Sequence, residues 1–235
     1  MQIWLVFLTA LFGYLLGSIS FSRVVTRSLS ANTNLQDVVI TDNDTGKTFQ
    51  RRPTAATVSM ALGWKTGCLV SLLDMLKVTL PVLAVKLLLP EHPYFLITAA
   101  MAVVGNNWPI FYHFKGGAGI SAIYGGLLAI DPLAILIPSV VGIIVGLLIF
   151  RSFLVMFLLS IGLIVPWMAY RYDDSAFWIY GVVVGVFYII TMAVDAAPFL
   201  KSGTKVMKER DVMEQMPMGR AMIKMMDRIG LKKPK

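Results

Sequence analysis

The sequence predicts an all-α integral membrane protein of about seven transmembrane helices, with the N-terminus outside and the C-terminus cytoplasmic. Three observations predict it. Of the 235 residues, 57% are hydrophobic and 14% charged, where soluble domains average roughly 25% charged. Stretches of the length needed to cross about 30 Å of hydrocarbon, about 17 to 25 residues, recur along the chain almost free of charge. The net charge of +8 is sorted by loop as the positive-inside rule requires, so the basic balance reads as topology and no nucleic acid is expected.

Segments near 3–24, 67–89, 94–111, 117–130, 133–150, 152–170 and 176–196 read as spans. The first has no basic residue before it, whereas a cleavable signal peptide carries a basic n-region, so it reads as a retained helix. The fourth is short, and a tilted or half-buried segment is its other reading. With seven spans, Arg23, Arg27, Lys47, Arg51, Arg52 and Lys65 belong to the first loop and its flanks, Lys115 to the third and Arg151 to the fifth. Ten further Lys or Arg follow Ala197, while the outside receives Arg171 with Glu91, Asp131, Asp173 and Asp174. Cys68 is the single cysteine, a buried or lipid-facing thiol, which leaves no disulfide framework or cysteine metal site within the chain.

A membrane domain over residues 1–200 is therefore expected, with a cytoplasmic loop at 28–54 and a basic tail at 201–235. Within the loop, Asp37 to Thr41 and Lys47 to Gln50 flank the turn-forming run Asn43 to Gly46, which predicts a small hairpin. In the tail, Met222, Ile223, Met225, Met226 and Ile229 fall mainly along one helical face, with Arg220, Lys224 and Arg228 elsewhere. Such a helix suits an anionic leaflet or the protein's own cytoplasmic surface equally, and a partner protein less well.

Polar side chains are costly at membrane depth, about 2.5–3.5 kcal/mol for Asp, Lys or Arg at a helix centre, so each needs a reason. Here several share one level, the cytoplasmic side. Ser18 and Ser20 end the first span, Asp74 and Lys77 lie in the inner half of the second, and Asn106 and Asn107 end the third. Asp74 and Lys77 are three apart on one face and can neutralise each other as a structural pair. Lys86 reads as an anchor snorkelling to the outer interface, and the two asparagines can serve as interhelical glue. Lys115, Gly116, Gly117 and Gly119 precede a helix, where backbone N–H groups, the helix dipole and the lysine charge would together suit a phosphate. The same glycines would equally permit close helix packing.

At these residues the sequence resembles the acyl-phosphate-dependent glycerol-3-phosphate acyltransferases, the bacterial PlsY family. Gly13 to Phe21 (GYLLGSISF) is similar to the family's Gly-Ser-Ile-Pro-Phe motif, Gly67 to Lys77 to its second helix, and Val104 to Gly119 (VGNNWPIFYHFKGGAG) to its Gly-His-x-Phe-Pro through Gly-Gly-Lys-Gly motif. The resemblance covers roughly residues 10 to 200. It implies a membrane enzyme that transfers a fatty acyl group from acyl phosphate to the 1-hydroxyl of glycerol 3-phosphate, giving lysophosphatidic acid for phospholipid synthesis at the cell (inner) membrane. It implies no metal, no coenzyme A and no other cofactor; protein partners are not indicated.

On that resemblance Ser18 would orient the acceptor, and Lys77, Lys115, Gly116, Gly117 and Gly119 would hold phosphate. The sequence departs from the pattern at Asn106, where the family has histidine and which cannot act as a base near neutral pH, and at Ala118, where it has lysine. The family's Gly-Ser-Gly-Asn-x-Gly-Ala-Thr-Asn stretch is reduced to a remnant from Arg51 to Thr57, and its His-x-x-Asn pattern after the last helix is missing. His113 is then the candidate substitute base, and Arg51 with Arg52 the candidate replacement phosphate contacts, since guanidinium binds phosphate bidentately. The other reading is a noncatalytic relative that binds a lipid or phosphorylated metabolite, or scaffolds other membrane proteins. A small transporter is weaker still, since no inverted repeat is visible.

Overall fold

Long apolar segments fold as helices because inside lipid every backbone N–H and C=O must be satisfied within its own segment. The computed structural model describes residues 2–30, 33–35, 38–41, 46–201 and 213–228. Helices run in the order α1 (Ile3–Gly17), α2 (Phe21–Leu29), α3 (Ala55–Leu62), α4 (Trp64–Leu88), α5 (Tyr94–Asn107), α6 (Ile120–Ile130), α7 (Leu133–Ile143), α8 (Phe153–Gly162), α9 (Ile164–Arg171), α10 (Ser175–Lys201) and α11 (Pro217–Arg228). Among the described residues, five helical stretches are long and apolar enough to cross a membrane: Ile3–Leu29, Trp64–Leu88, Tyr94–Tyr112, Phe153–Arg171 and Ser175–Asp195. The other two expected spans are the shorter apolar helices Ile120–Ile130 and Leu133–Ile149, the latter continuing α7 through a π-helical segment, Ile144–Ile149. The protein is thus a mostly helical integral membrane protein.

Two spans differ from their expected form. The first is not continuous to Val24: α1 stops at Gly17, and Ser18 to Ser20 separate it from α2. At roughly 1.5 Å per residue, the 11 residues of α6 reach only about 16 Å, half of a bilayer core. Residues 115–119, expected to open this span, are non-helical. Irregular backbone at that depth is tolerated where protein covers it, and α6 itself is enclosed, with Ala122, Ile123 and Leu127 fully buried.

The core forms where α4, α5, α6 and α10 meet, through Val78, Val82, Ala99, Val103, Ile123, Leu127, Val184 and Tyr188. On its flank α1 packs along α5 at a seam of small residues. A Cβ on Gly13 would strike the Thr98 carbonyl, one on Gly17 the Ala102 carbonyl, and one on Gly105 the Tyr14 carbonyl. Without glycine the two backbones could not approach this closely.

At the far end, Lys86 departs from its expected role. Its ammonium does not serve a snorkelling contact but donates to the carbonyls of Ala129 (2.9 Å) and Ile130 (3.1 Å), neutralising the negative end of α6. Beside it, buried Asp131 accepts from the Trp167 indole (3.0 Å) and the Leu133 amide (3.1 Å), with Arg171 at 3.7 Å.

The loop hairpin is present. Strand β1 (Val39–Thr41) pairs antiparallel with β2 (Thr48–Gln50), with Ile40 opposite Phe49. Residues 42–45 of its expected turn lie outside the described residues, as do Asp37 and the tail positions 202–212 and 229–235, including Ile229. The described part of the tail packs on the protein. The Thr41 amide donates to Gln215 Oε1 (2.9 Å), and Gln215 Nε2 donates to the Thr41 carbonyl (2.6 Å). Ile223 of α11 joins Leu147, Phe153 and Met156 in a separate cluster. Of the settings the amphipathic pattern allows, the described part shows self-packing. Cys68 is exposed on α4.

Candidate functional site

The break between α1 and α2 creates the polar end of the bundle. Ending α1 at Gly17 leaves carbonyls without partners, and starting α2 at Phe21 leaves amides without partners. The Asp74–Lys77 pair on α4 serves both. Lys77 Nζ donates to the Ile19 carbonyl (2.5 Å) while lying 2.7 Å from Asp74 Oδ1, and the Phe21 backbone amide donates to the Asp74 carboxylate. Anion at the amide end and cation at the carbonyl end is the arrangement helix dipoles favour.

Lys77 also donates to Asn106 Oδ1 (2.8 Å). Asp74, Asn106 and the Ile19 carbonyl occupy all three protons of an ammonium. On the family resemblance Lys77 would hold phosphate; in the structure it has three internal partners, which join α1, α4 and α5.

Asn106, at the end of α5, reaches the glycine turn. Its carbonyl accepts from the Gly117 amide (3.0 Å), and a Cβ on Gly116 would strike that same carbonyl. Gly119 has φ +81°, a left-handed conformation that glycine adopts freely, and a Cβ there would run into Asn107 Oδ1. Asn107 is fully buried, its amide donating to Thr191 Oγ1 on α10 (2.9 Å) while its own Oδ1 has no partner. Ser18 is fully buried and donates to the Tyr14 carbonyl (2.8 Å); Gly105 packs directly over its hydroxyl. Ser18, Lys77, Asn106 and the turn at Gly116 and Gly117 therefore form one connected layer.

Arg52 enters this layer from the loop. Its Nε lies 2.5 Å from Asp195 Oδ1 near the end of α10, and its Nη1 donates to the Gly117 carbonyl at 3.4 Å. The residues that follow hold it in place: the Ser22 hydroxyl donates to the Pro53 carbonyl (3.0 Å), and Thr54 caps α3 by accepting from the Thr57 amide. Arg51 is half-buried beside the same carboxylate; burial pushes its guanidinium below the ordinary value, and Asp195 pulls it partly back. It stays charged, as arginine does in proteins. Asp195 is the residue that sequence reasoning missed. The lone acid near the C-terminal end of the last span was its signal.

His113 and Lys115 go elsewhere. Both are exposed, and they line a cleft with Arg23, Phe111 and Tyr112. None of Ser18, Lys77 and Asn106 lines it. Among the described residues, no cluster of three or more His, Cys, Asp or Glu could hold a metal ion. In the connected layer the Ser18 hydroxyl and the Gly117 amide are engaged by carbonyls and Arg52 by Asp195, so a guanidinium beside a glycine turn is what the layer offers an anion.

Comparison with known proteins places these features in a family. The family model for glycerol-3-phosphate acyltransferase matches residues 7–200. A glycerol-3-phosphate acyltransferase of Legionella pneumophila (strain Corby) is 36% identical over 119 residues, covering 51% of this chain and 39% of its own length. Glycerol-3-phosphate acyltransferase 1 of Oceanobacillus iheyensis is 30% identical over 132 residues, covering 53% and 58%. The chain thus spans about half the length of these curated relatives. The crystal structure of PlsY, an integral membrane glycerol 3-phosphate acyltransferase, in its glycerol 3-phosphate form superposes with a TM-score of 0.65 at 24% identity, covering 86% of this chain and 96% of that one. Its lysophosphatidic acid form gives 0.64 at 23% identity, a likeness of fold. The family model spans nearly all the membrane helices, and on that match the chain belongs to the glycerol-3-phosphate acyltransferase family.

Proposed function

We propose that this protein transfers a fatty acyl group from acyl phosphate to the 1-hydroxyl of glycerol 3-phosphate at the inner membrane. The acyl carbon exchanges its bond to the phosphate oxygen for one to the glycerol oxygen; phosphate departs with the electron pair, and lysophosphatidic acid remains. The observation that carries this reading is the family match over residues 7–200, which includes the layer joining Ser18, Asn106 and the Gly116–Gly119 turn. An acyl phosphate is already activated, so positioning and anion stabilisation are the main demands on the site. Arg52 and the glycine turn are the proposed phosphate contacts, with Ser18 and Asn106 orienting the acceptor and Lys77 fixing Asn106. Arginines 23, 27, 51 and 52 with Lys65 and Lys115 gather at this end of the chain's helices, which supports a cytoplasmic orientation by the positive-inside rule and hence a supply of both substrates from the cytosol.

The test is release of inorganic phosphate from palmitoyl phosphate by the purified protein in the presence of glycerol 3-phosphate. Turnover supports the reading; none, with an active relative run alongside, rejects it. A second reading, a noncatalytic binder of a lipid or phosphorylated metabolite, is favoured by Asn106 and Ala118 and by the internal carboxylate on Arg52. Thermal stabilisation by glycerol 3-phosphate without turnover would select it, and recovery of turnover in Asn106→His with Ala118→Lys would show which groups had been lost.

A further inference from the structure

Arg23 was counted with the topological charges of the first loop, but its surroundings are those of a binding group. Its Nη2 donates to the Lys115 carbonyl (2.5 Å), and its guanidinium stacks 4.4 Å from the centre of the Tyr112 ring. These two contacts fix the planar fork. The remaining Nη1 is buried and has no hydrogen-bond partner, a charged donor withdrawn from water and left unmet, which an anion would satisfy.

The surroundings of that donor are consistent. Arg23, Phe111, Tyr112, His113 and Lys115 line an open cleft of about 360 Å³, and no carboxylate is among them. His113 and Phe114 adopt left-handed backbone (φ 52° and 59°), a costly conformation for residues other than glycine. The Phe114 amide donates to the Pro109 carbonyl and the Lys115 amide to the Tyr112 carbonyl, both at 3.0 Å, so the turn carrying Lys115 is held against Arg23. The cleft also lies toward the ends of two apolar stretches, where a lipid headgroup would be met. Arg23 lies near the end of the apolar stretch Ile3–Leu29 and Tyr112 ends Tyr94–Tyr112, while Phe111 and Phe114 beside it are each 58% exposed, as aromatic side chains at a membrane interface are.

We propose that this cleft binds the phosphate group of an anionic membrane phospholipid, with Arg23 Nη1 and the Lys115 ammonium as donors and Phe111 and Phe114 against the acyl region. The site goes beyond the proposed transfer reaction and is tested by binding alone. Full-length protein in nanodiscs of dioleoylphosphatidylcholine, with and without dioleoylphosphatidylglycerol, is released and its retained lipid measured by native mass spectrometry. Preferential retention of the phosphatidylglycerol is expected, weakened about tenfold in Arg23→Gln and in Lys115→Gln and unchanged in Lys65→Gln, an exposed charge on α4 outside the cleft. Arg23→Lys, which keeps the charge without the fork, should fall between, and thermal melts in phosphatidylcholine alone identify any variant that fails to fold. Equal retention in wild type, Arg23→Gln and Lys115→Gln would overturn the proposal. So would stabilisation by free inorganic phosphate matching that by the lipid, which would assign the cleft to soluble anions.

Discussion

Replacing Lys77 with Met should destabilise the protein far more than removing an ordinary surface charge. The side chains of Lys77 and Asp74 are only 4% and 12% exposed, so water screens their attraction little. Taking away one member of a buried pair costs about 3–5 kcal/mol, because the other is left uncompensated. The Ile19 carbonyl and Asn106 lose their donor as well, at about 1–3 kcal/mol each if nothing replaces it, though losses within one network do not add. A total near 4 kcal/mol is the expected result for Lys77→Met. Asp74→Asn combined with Lys77→Met should recover about half of it, since no orphaned charge remains and asparagine still accepts from the Phe21 amide. Unfolding in mixed micelles titrated with sodium dodecyl sulfate, followed by tryptophan fluorescence, measures both. A single-variant loss below about 1 kcal/mol, or a double variant no better than the single, would refute the view that the pair clasps the break between α1 and α2.

The other regions make separate demands. Asp195→Asn should alter stability by less than about 1 kcal/mol, since the pair is partly exposed, while lowering the KM for glycerol 3-phosphate by freeing Arg52; an unchanged KM in the phosphate-release assay would count against Arg52 as a phosphate contact. Gly119→Ala combines a left-handed φ with a collision at Asn107, and should cost at least about 1 kcal/mol and reduce turnover, both read on the same preparation. Lys86→Met should cost about 1–2 kcal/mol by exposing the end of α6, with no change in KM. Gln215→Ala should release the tail segment from β1, seen as faster trypsin cleavage near Arg220 with the melting of the membrane domain unaltered.

Composition and the spacing of apolar runs were enough to place the helices, because burying long stretches free of charge leaves the chain few alternatives to crossing the bilayer. The break after Gly17 was harder to read. Ser18 to Ser20 are permissive of either state, and what stabilises the interruption is Asp74 and Lys77, more than fifty positions later in the chain. Lys86 was misread for the same reason: its distance from the helix end suggested a water-seeking side chain, but the carbonyls of Ala129 and Ile130 come to it through tertiary packing. At the site, the level shared by Ser18, Lys77, Asn106 and Gly116 was legible from helix periodicity and orientation. The pairing of Arg52 with Asp195 was not, since it joins a loop to the last helix, and neither was the separation of His113 and Lys115 into their own cleft, which depends on a left-handed turn that no local propensity favours. The match of Gln215 to Thr41 joins parts of the chain 174 positions apart and has no sequence signature.

Because α1 seats principally on α5, through Gly13, Gly17 and Gly105, a segment synthesised early cannot reach its final neighbours until one made much later has entered the bilayer. In the finished protein Ile3 and Phe7 remain 74% and 72% exposed, so one side of the helix is left to lipid and its hold on the bundle comes from α5 and, to a lesser extent, α4. Before α5 arrives, the bare face of Gly13 and Gly17 is open to any other small-residue helix in the membrane. Assembly of this half of the molecule is thus a race between partners in cis and in trans, and a chain interrupted before Tyr94 would present a first helix ready to dock on the wrong protein.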